Sequence, residues 1–195
     1  MIPDLDTSAG HLPLGRYRTT YTEISARFVE HDDFKESTTR RAVWAGFIAY
    51  MTAWQHVEGQ LTAELRGRRL TLAVWLGGSF ISLKPDPHNL DVTIFIDGDV
   101  VVSCQGRPGI GGLRRLGHRD RMLADFKVSP CVVRHWYFRS PFRSQLIGNR
   151  DVTDYVMFRG AFDDWWQRVR PPDEDKSEPT RETAVARRGY LEVEA

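Results

Sequence analysis

The stretch Leu70-Thr-Leu-Ala-Val-Trp-Leu76, Gly77-Gly78-Ser79-Phe80 and, after a short connection, Asn89-Leu90-Asp91-Val-Thr-Ile-Phe-Ile96 decides how this chain is read. Residues 70–76 form an apolar run with β-branched members, the pattern of a buried strand. The glycines end it abruptly. Pro85 and Pro87 leave room for at most one helical turn between 81 and 89. Residues 90–96 read as a second strand. Glycine lets backbone approach a ligand closely, and a helical turn opening at Ser79 would aim free N–H groups at an anion. Asn89 and Asp91 are two apart on a strand, so their side chains share one face and point together toward Ser79. An anion held at one edge with oxygen ligands at the other is how a protein presents a metal–nucleotide complex.

Working outward, Val43, Phe47, Met51, Trp54, Val57, Leu61 and Leu65 recur at three- and four-residue spacing. That is one face of a long helix preceding the motif strand, starting near Ser37 or Thr38, with Gly59 marking a kink or an early end. Its aromatic residues read as core. Thr20-Tyr-Thr-Glu23 fits a capping box, which predicts a short helix reaching Glu30. Downstream, Asp97-Gly98-Asp99 reads as a turn, with 100–103 pairing back as a hairpin. Residues 113–126 read as a helix, 131–138 as a third strand, and 155–169 as a helix burying Phe158, Phe162, Trp165 and Trp166. Residues 1–19 read as an extended lead-in, 20–170 as one domain, 171–188 as a polar linker with three prolines, and 189–195 as a returning edge strand. The fold class expected is α/β (α+β), a small mixed sheet flanked by helices.

The bulk properties fit one globular domain. Of 195 residues, 41% are hydrophobic and 27% charged, with a formal net charge of +1, so the whole molecule is not a polyanion magnet. Cys104 and Cys131 form no zinc spacing and suggest a reducing compartment. Residues 43–54 are the most apolar long stretch, too short for the roughly 20 residues a bilayer requires. With no basic-then-apolar leader evident, a cytoplasmic protein without a membrane partner is expected. Charge is uneven, however. Residues 106–150 carry ten Lys or Arg and two acids, Asp120 and Asp125, with Trp136, Tyr137, Phe138 and Phe142 interleaved. Such a mixture suits nucleic acid or nucleotide; a strand with a buried aromatic face and a charged outer face explains it at least as well.

Gly78-Ser79 followed by Asn89-Leu90-Asp91 resembles the nucleotidyltransferase superfamily with the polymerase-β-type domain. There Gly-Ser, about ten residues and Asp-x-Asp are followed by a third carboxylate on a later strand. The detail is similar to an uncharacterised bacterial and phage family of small nucleotidyltransferase-like proteins. Met1-Ile2-Pro3-Asp4, Trp75-Leu76-Gly77-Gly78-Ser79-Phe80, Lys84-Pro85-Asp86-Pro87 and Arg188-Gly189-Tyr190-Leu191 stand in that family's places. The resemblance implies the nucleotidyltransferase fold and a nucleoside triphosphate held by Gly77, Gly78, Ser79, Lys84 and Arg134. It also implies Mg²⁺ on Asp91 and Asn89, transfer of a nucleoside monophosphate to a protein, RNA or small-molecule acceptor, and a toxin–antitoxin or phage-defence setting.

Two departures cut against full activity. Asn89 replaces the first Asp, removing charge that would offset a dication. The later strand offers no acid where the third carboxylate belongs; Arg134 or His135 takes the place, with Asp125 upstream. A second reading therefore stands beside the first: a catalytically degenerate nucleotide- or RNA-binding or antitoxin-like module.

Overall fold

The computed structural model describes residues 1–138, 140, 142, 149–169 and 180–194. Its sheet has the order β1-β5-β2-β3-β4, built from β1 (Arg16–Thr19), β2 (Thr71–Gly77), β3 (Leu90–Asp97), β4 (Val128–His135) and β5 (Tyr190–Glu194). β2 runs antiparallel to β3 and β5, whereas β1–β5 and β3–β4 are parallel. This is a mixed α/β architecture with helices on both faces.

The capping box forms as its residues dictate. Thr20 Oγ1 accepts from the Glu23 amide at 3.2 Å, and Glu23 accepts in return from the Thr20 amide at 3.0 Å. Helix α1 (Tyr21–Ser25) follows and continues as a π-helical turn to Glu30. Helix α2 (Arg40–Gln60) carries the apolar face read from the sequence, and all seven of its periodic positions, through Leu61 and Leu65, are buried. It lies on one sheet face, where Trp54 Nε1 donates to Thr71 Oγ1 at 2.7 Å. After a short turn, α3 (Thr62–Leu65), the chain enters β2.

A parallel β3–β4 pair needs a crossover, not a hairpin. Residues 98–103 accordingly form helix α4 (Gly98–Ser103), capped by Asp97 Oδ1 accepting from the Val100 amide at 3.1 Å. The expected hairpin is absent because Asp-Gly serves as a helix N-terminus here. The single helix expected over 113–126 is two, α5 (Ile110–Leu116) and α6 (Arg119–Phe126), divided at Gly117-His118. Both pack on α2, where Gly46 lets the Phe126 carbonyl come close and Tyr50 donates to the Leu116 carbonyl at 3.0 Å. β4 starts three residues earlier than expected and ends three earlier.

Helix α7 (Arg150–Trp166) covers the opposite sheet face. It buries Val152, Tyr155 and Trp166, whereas Phe158 and Trp165, expected inside, are exposed. β5 lies between β1 and β2, not at an edge, and residues 16–19 of the expected lead-in form the edge strand beside it. Most of the expected polar linker, 171–179, falls outside the described residues.

Candidate functional site

Gly77 pairs with Asp91 at the ends of β2 and β3. The next residue, Gly78, has φ 76° and ψ −165°, a conformation that excludes L side chains. It also has no room for one, because a Cβ there would overlap Asp91 Oδ2 and sit 3.0 Å from Asp91 Cγ. The elbow is therefore folded directly against the Asp91 carboxyl. Ser79 opens a 3-10 turn of three residues, Ser79–Ile81. So short a turn has little dipole, and the anion-attracting helix start expected there reduces to the elbow's own groups. The Ser79 hydroxyl is half-buried and has no hydrogen-bond partner among the described residues.

Asn89 and Asp91 lie together as expected, with Asn89 Nδ2 donating to Asp91 Oδ1 at 3.0 Å. Burial pushes the Asp91 carboxyl above its usual range. Hydrogen bonds from Asn89 and Ser129 and the nearby charges of Arg188 and Arg119 offset this only in part. Ser129 is the β4 residue directly opposite Asp91. Its hydroxyl accepts from Arg119 Nε at 2.8 Å. From the other side comes Arg188, whose Nε donates to the Trp166 carbonyl at 3.0 Å and Nη1 to the Gly78 carbonyl at 3.4 Å. Burial lowers the Arg188 pKa, and Asp91 acts in the opposite direction.

The arrangement thus gathers Gly77, Gly78, Ser79, Asn89 and Asp91 at one end of the sheet. It does not gather Arg134. That residue is paired with Ile96, five positions along β4 from Ser129, and an odd offset puts it on the opposite sheet face. Lys84 is tied into the loop through its backbone. Its carbonyl accepts from Arg40 Nη2 at 2.6 Å, while its exposed ammonium bonds none of the described residues. Asp86 fixes the segment leading into α2, accepting from the Thr38 amide at 2.8 Å and the Ser37 hydroxyl at 3.1 Å.

A family described as of unknown function (DUF6932) matches residues 3–194. The chain belongs to that family. No curated protein and no solved structure matches it.

Three parts of this DUF6932 site were not singled out from the sequence as functional. Ser129 was hidden by placing the strand start at Cys131. Arg188 was visible as part of the Arg188-Gly189 pair. Gly189 allows the approach that brings Arg188 in, since a Cβ there would collide with the Pro13 carbonyl. Arg119 looked like one surface arginine among several. A fourth, Arg40, anchors the loop. Buried in the core, it donates to the carbonyls of Phe28, Phe80, Ser82, Lys84 and Pro85 and lies 3.7 Å over the Phe34 ring. Burial lowers its pKa to about 10.

Beside Asp91 the sheet face is closed by Trp166. Its ring packs on Gly77, where a Cβ would collide with it, and its Nε1 donates to Thr93 Oγ1 at 2.9 Å. Further along the same face lies a cavity of about 560 Å³ lined by residues including Trp75, Phe138, Tyr155, Arg159 and Asp163. Arg159 sits 5.1 Å over the Trp75 ring and donates to the Tyr155 hydroxyl at 3.2 Å.

Proposed function

We propose that this DUF6932 protein has a nucleotidyltransferase-type fold and binds a nucleoside triphosphate at the Gly77-Gly78-Ser79 elbow, with transfer chemistry largely lost. The observation that carries this reading is Ser129 opposite Asp91. On the strand beside Asp91, where a third carboxylate would complete a metal site, the chain holds a hydroxyl already bonded to an arginine.

A tightly held Mg²⁺ does not fit the residues present. Among the described residues Asp91 is the site's lone carboxylate, it is partly withdrawn from water, and Arg188 and Arg119 supply the positive charge a metal would bring. Among the described residues no group of three or more His, Cys, Asp and Glu side chains is positioned to hold a metal. The same substitutions suit an anion. An arginine beside the elbow attracts phosphate without a metal, Asn89 and Ser129 add no negative charge, and burial favours the uncharged form of the Asp91 carboxyl. The Ser79 hydroxyl and the elbow backbone supply the remaining polar contacts.

The transferase reading retains one favourable observation: Asn89 and Asp91 still present two oxygen-bearing side chains on one face beside the elbow. Titrating ATP, GTP, CTP and UTP into the protein by calorimetry, with excess Mg²⁺ or with EDTA, separates the two. Binding of at least one triphosphate within about threefold in both buffers is expected, with no labelled acceptor formed in lysate. A strict metal requirement would restore the transferase reading, and no binding of any triphosphate in either buffer would remove both.

A further inference from the structure

Among the described residues of 106–150, the basic side chains are not spread evenly in space. Arg114, Arg115, His118 and Arg121 line one hollow of about 410 Å³ at the α5–α6 elbow, together with Gly111. All four side chains belong to exposed residues. Arg121 pairs with Asp125 at 3.4 Å, but Arg114 and Arg115 have no ion pair among the described residues. Four hydrogen-bond donors converging on one hollow with one acid beside them form a preference for anions that local pairing does not cancel.

Among the described residues the elbow abuts β4, the edge strand of the sheet. Gly117, at the elbow, comes so close to β4 that a Cβ there would contact Val132 Cγ2 at 3.4 Å. Arg134 follows two positions along β4 on the same sheet face as Val132. It is exposed and likewise has no ion pair among the described residues. Tyr137 lies beyond it, 76% exposed, an aromatic ring left in water where the chain leaves the sheet. From the same helix start as Arg121, Arg119 turns inward to Ser129 and the Asp91 site.

We infer that the α5–α6 elbow and the β4 edge together form a docking surface for single-stranded nucleic acid. Arg114, Arg115 and Arg121 contact backbone phosphates, Arg134 extends the track, and Tyr137 offers a face on which a base stacks. A group of arginines, of which Arg114, Arg115 and Arg134 have no ion pair among the described residues, with an exposed aromatic ring beyond them fits a chain that alternates phosphates with flat bases. An acidic peptide would use the cations and leave the ring idle. The inference stands apart from nucleotide binding at Asp91 and survives its failure.

The test is fluorescence anisotropy with a labelled twelve-nucleotide RNA at several salt concentrations. Binding should weaken steeply with salt. In Arg114→Gln/Arg115→Gln, affinity should fall at least fivefold and the salt slope by about 1.4, since each single-strand phosphate contact contributes about 0.7. Tyr137→Ala should weaken binding with the salt slope unchanged. Both changes lie on exposed side chains, and a thermal melt confirms that each variant is folded. Calorimetry with ATP should be the same in wild type and double arginine variant, which separates this surface from the Asp91 site. No RNA binding at low salt, binding indifferent to the arginine pair, or displacement by polyglutamate as readily as by unlabelled RNA would each overturn the proposal.

Discussion

Asp91 and Ser129 face each other across the β3–β4 ladder, and the hydroxyl of Ser129 is held by Arg119 at 2.8 Å. A carboxylate at 129 together with one at 89 would put three acids around the elbow. Like charges this close repel until a cation neutralises them. The variant Asn89→Asp/Ser129→Asp should therefore melt below the wild type in EDTA and recover with millimolar Mn²⁺, as expected when a ligand binds the native state alone. The wild-type melt should be indifferent to Mn²⁺. A wild-type Tm raised by Mn²⁺ as much as the variant's would show that the present ligand set already suffices for metal.

Gly78 bears on the same carboxyl from the other side. Gly78→Ala would combine an unfavourable positive φ with overlap onto Asp91. The expected cost is about 2 kcal/mol or more in a urea melt, with triphosphate binding lost by calorimetry. Gly67 is the control, because it also has positive φ but nothing within 4 Å of a Cβ. Gly67→Ala should be the milder change and leave binding intact. Equal losses in both would mean that backbone strain, not closeness to Asp91, makes glycine necessary at 78.

Arg40 holds the loop from Phe80 to Pro85 through four of its carbonyls and ties it to a fifth, that of Phe28. Hydrogen bonds from a charged donor contribute roughly 1.5–3 kcal/mol each, though not additively. Arg40→Met should destabilise the protein by about 3–5 kcal/mol, because the buried acceptors would be left without partners. Arg40→Lys should recover little, since an ammonium cannot span the same fork of carbonyls. Full recovery by lysine would show that charge, rather than geometry, is what this position supplies.

The divide between what was readable and what was not follows from range. The α2 face was legible because helical spacing places Val43, Phe47, Met51 and Trp54 on one side whatever they later pack against. The elbow and the Asn89–Asp91 pair were legible because strand alternation alone fixes their common face. Asp97-Gly98 was not, because the same two residues serve a hairpin turn or a helix N-cap, and only the parallel β3–β4 pairing decides between them. β4 begins at Val128 and runs through Pro130, which an edge strand tolerates. Starting β4 at Cys131 then moved the partner of Asp91 from Ser129 to residues on beyond it, and Arg134 lies at an odd offset on the other face. Nothing local in Tyr190-Leu191-Glu192-Val193 tells that both sides of the strand are paired. The buried Glu192, held by Trp75 Nε1 at 2.7 Å with Arg16 and Arg18 alongside, belongs to that hidden position.

The pH dependence of stability isolates the state of Asp91. Burial raises its folded pKa above the ordinary value of 3.8. The fold thus favours the protonated carboxyl, and the stability this group contributes is fullest below the unfolded value and is lost as pH rises through the folded one. An asparagine at 91 has no such loss. In urea melts, the stability of Asp91→Asn relative to wild type should therefore rise as pH is raised above the ordinary carboxylate value of 3.8, whatever its offset at the acid end. A nucleotide complex adds a second readout, because removing a residual negative charge beside the phosphates should tighten metal-free triphosphate binding most at the higher pH. Relative stability that instead fell with rising pH would mean that Asp91 is held ionised by Arg188 and Arg119, and the argument for a low-charge phosphate site would fail with it.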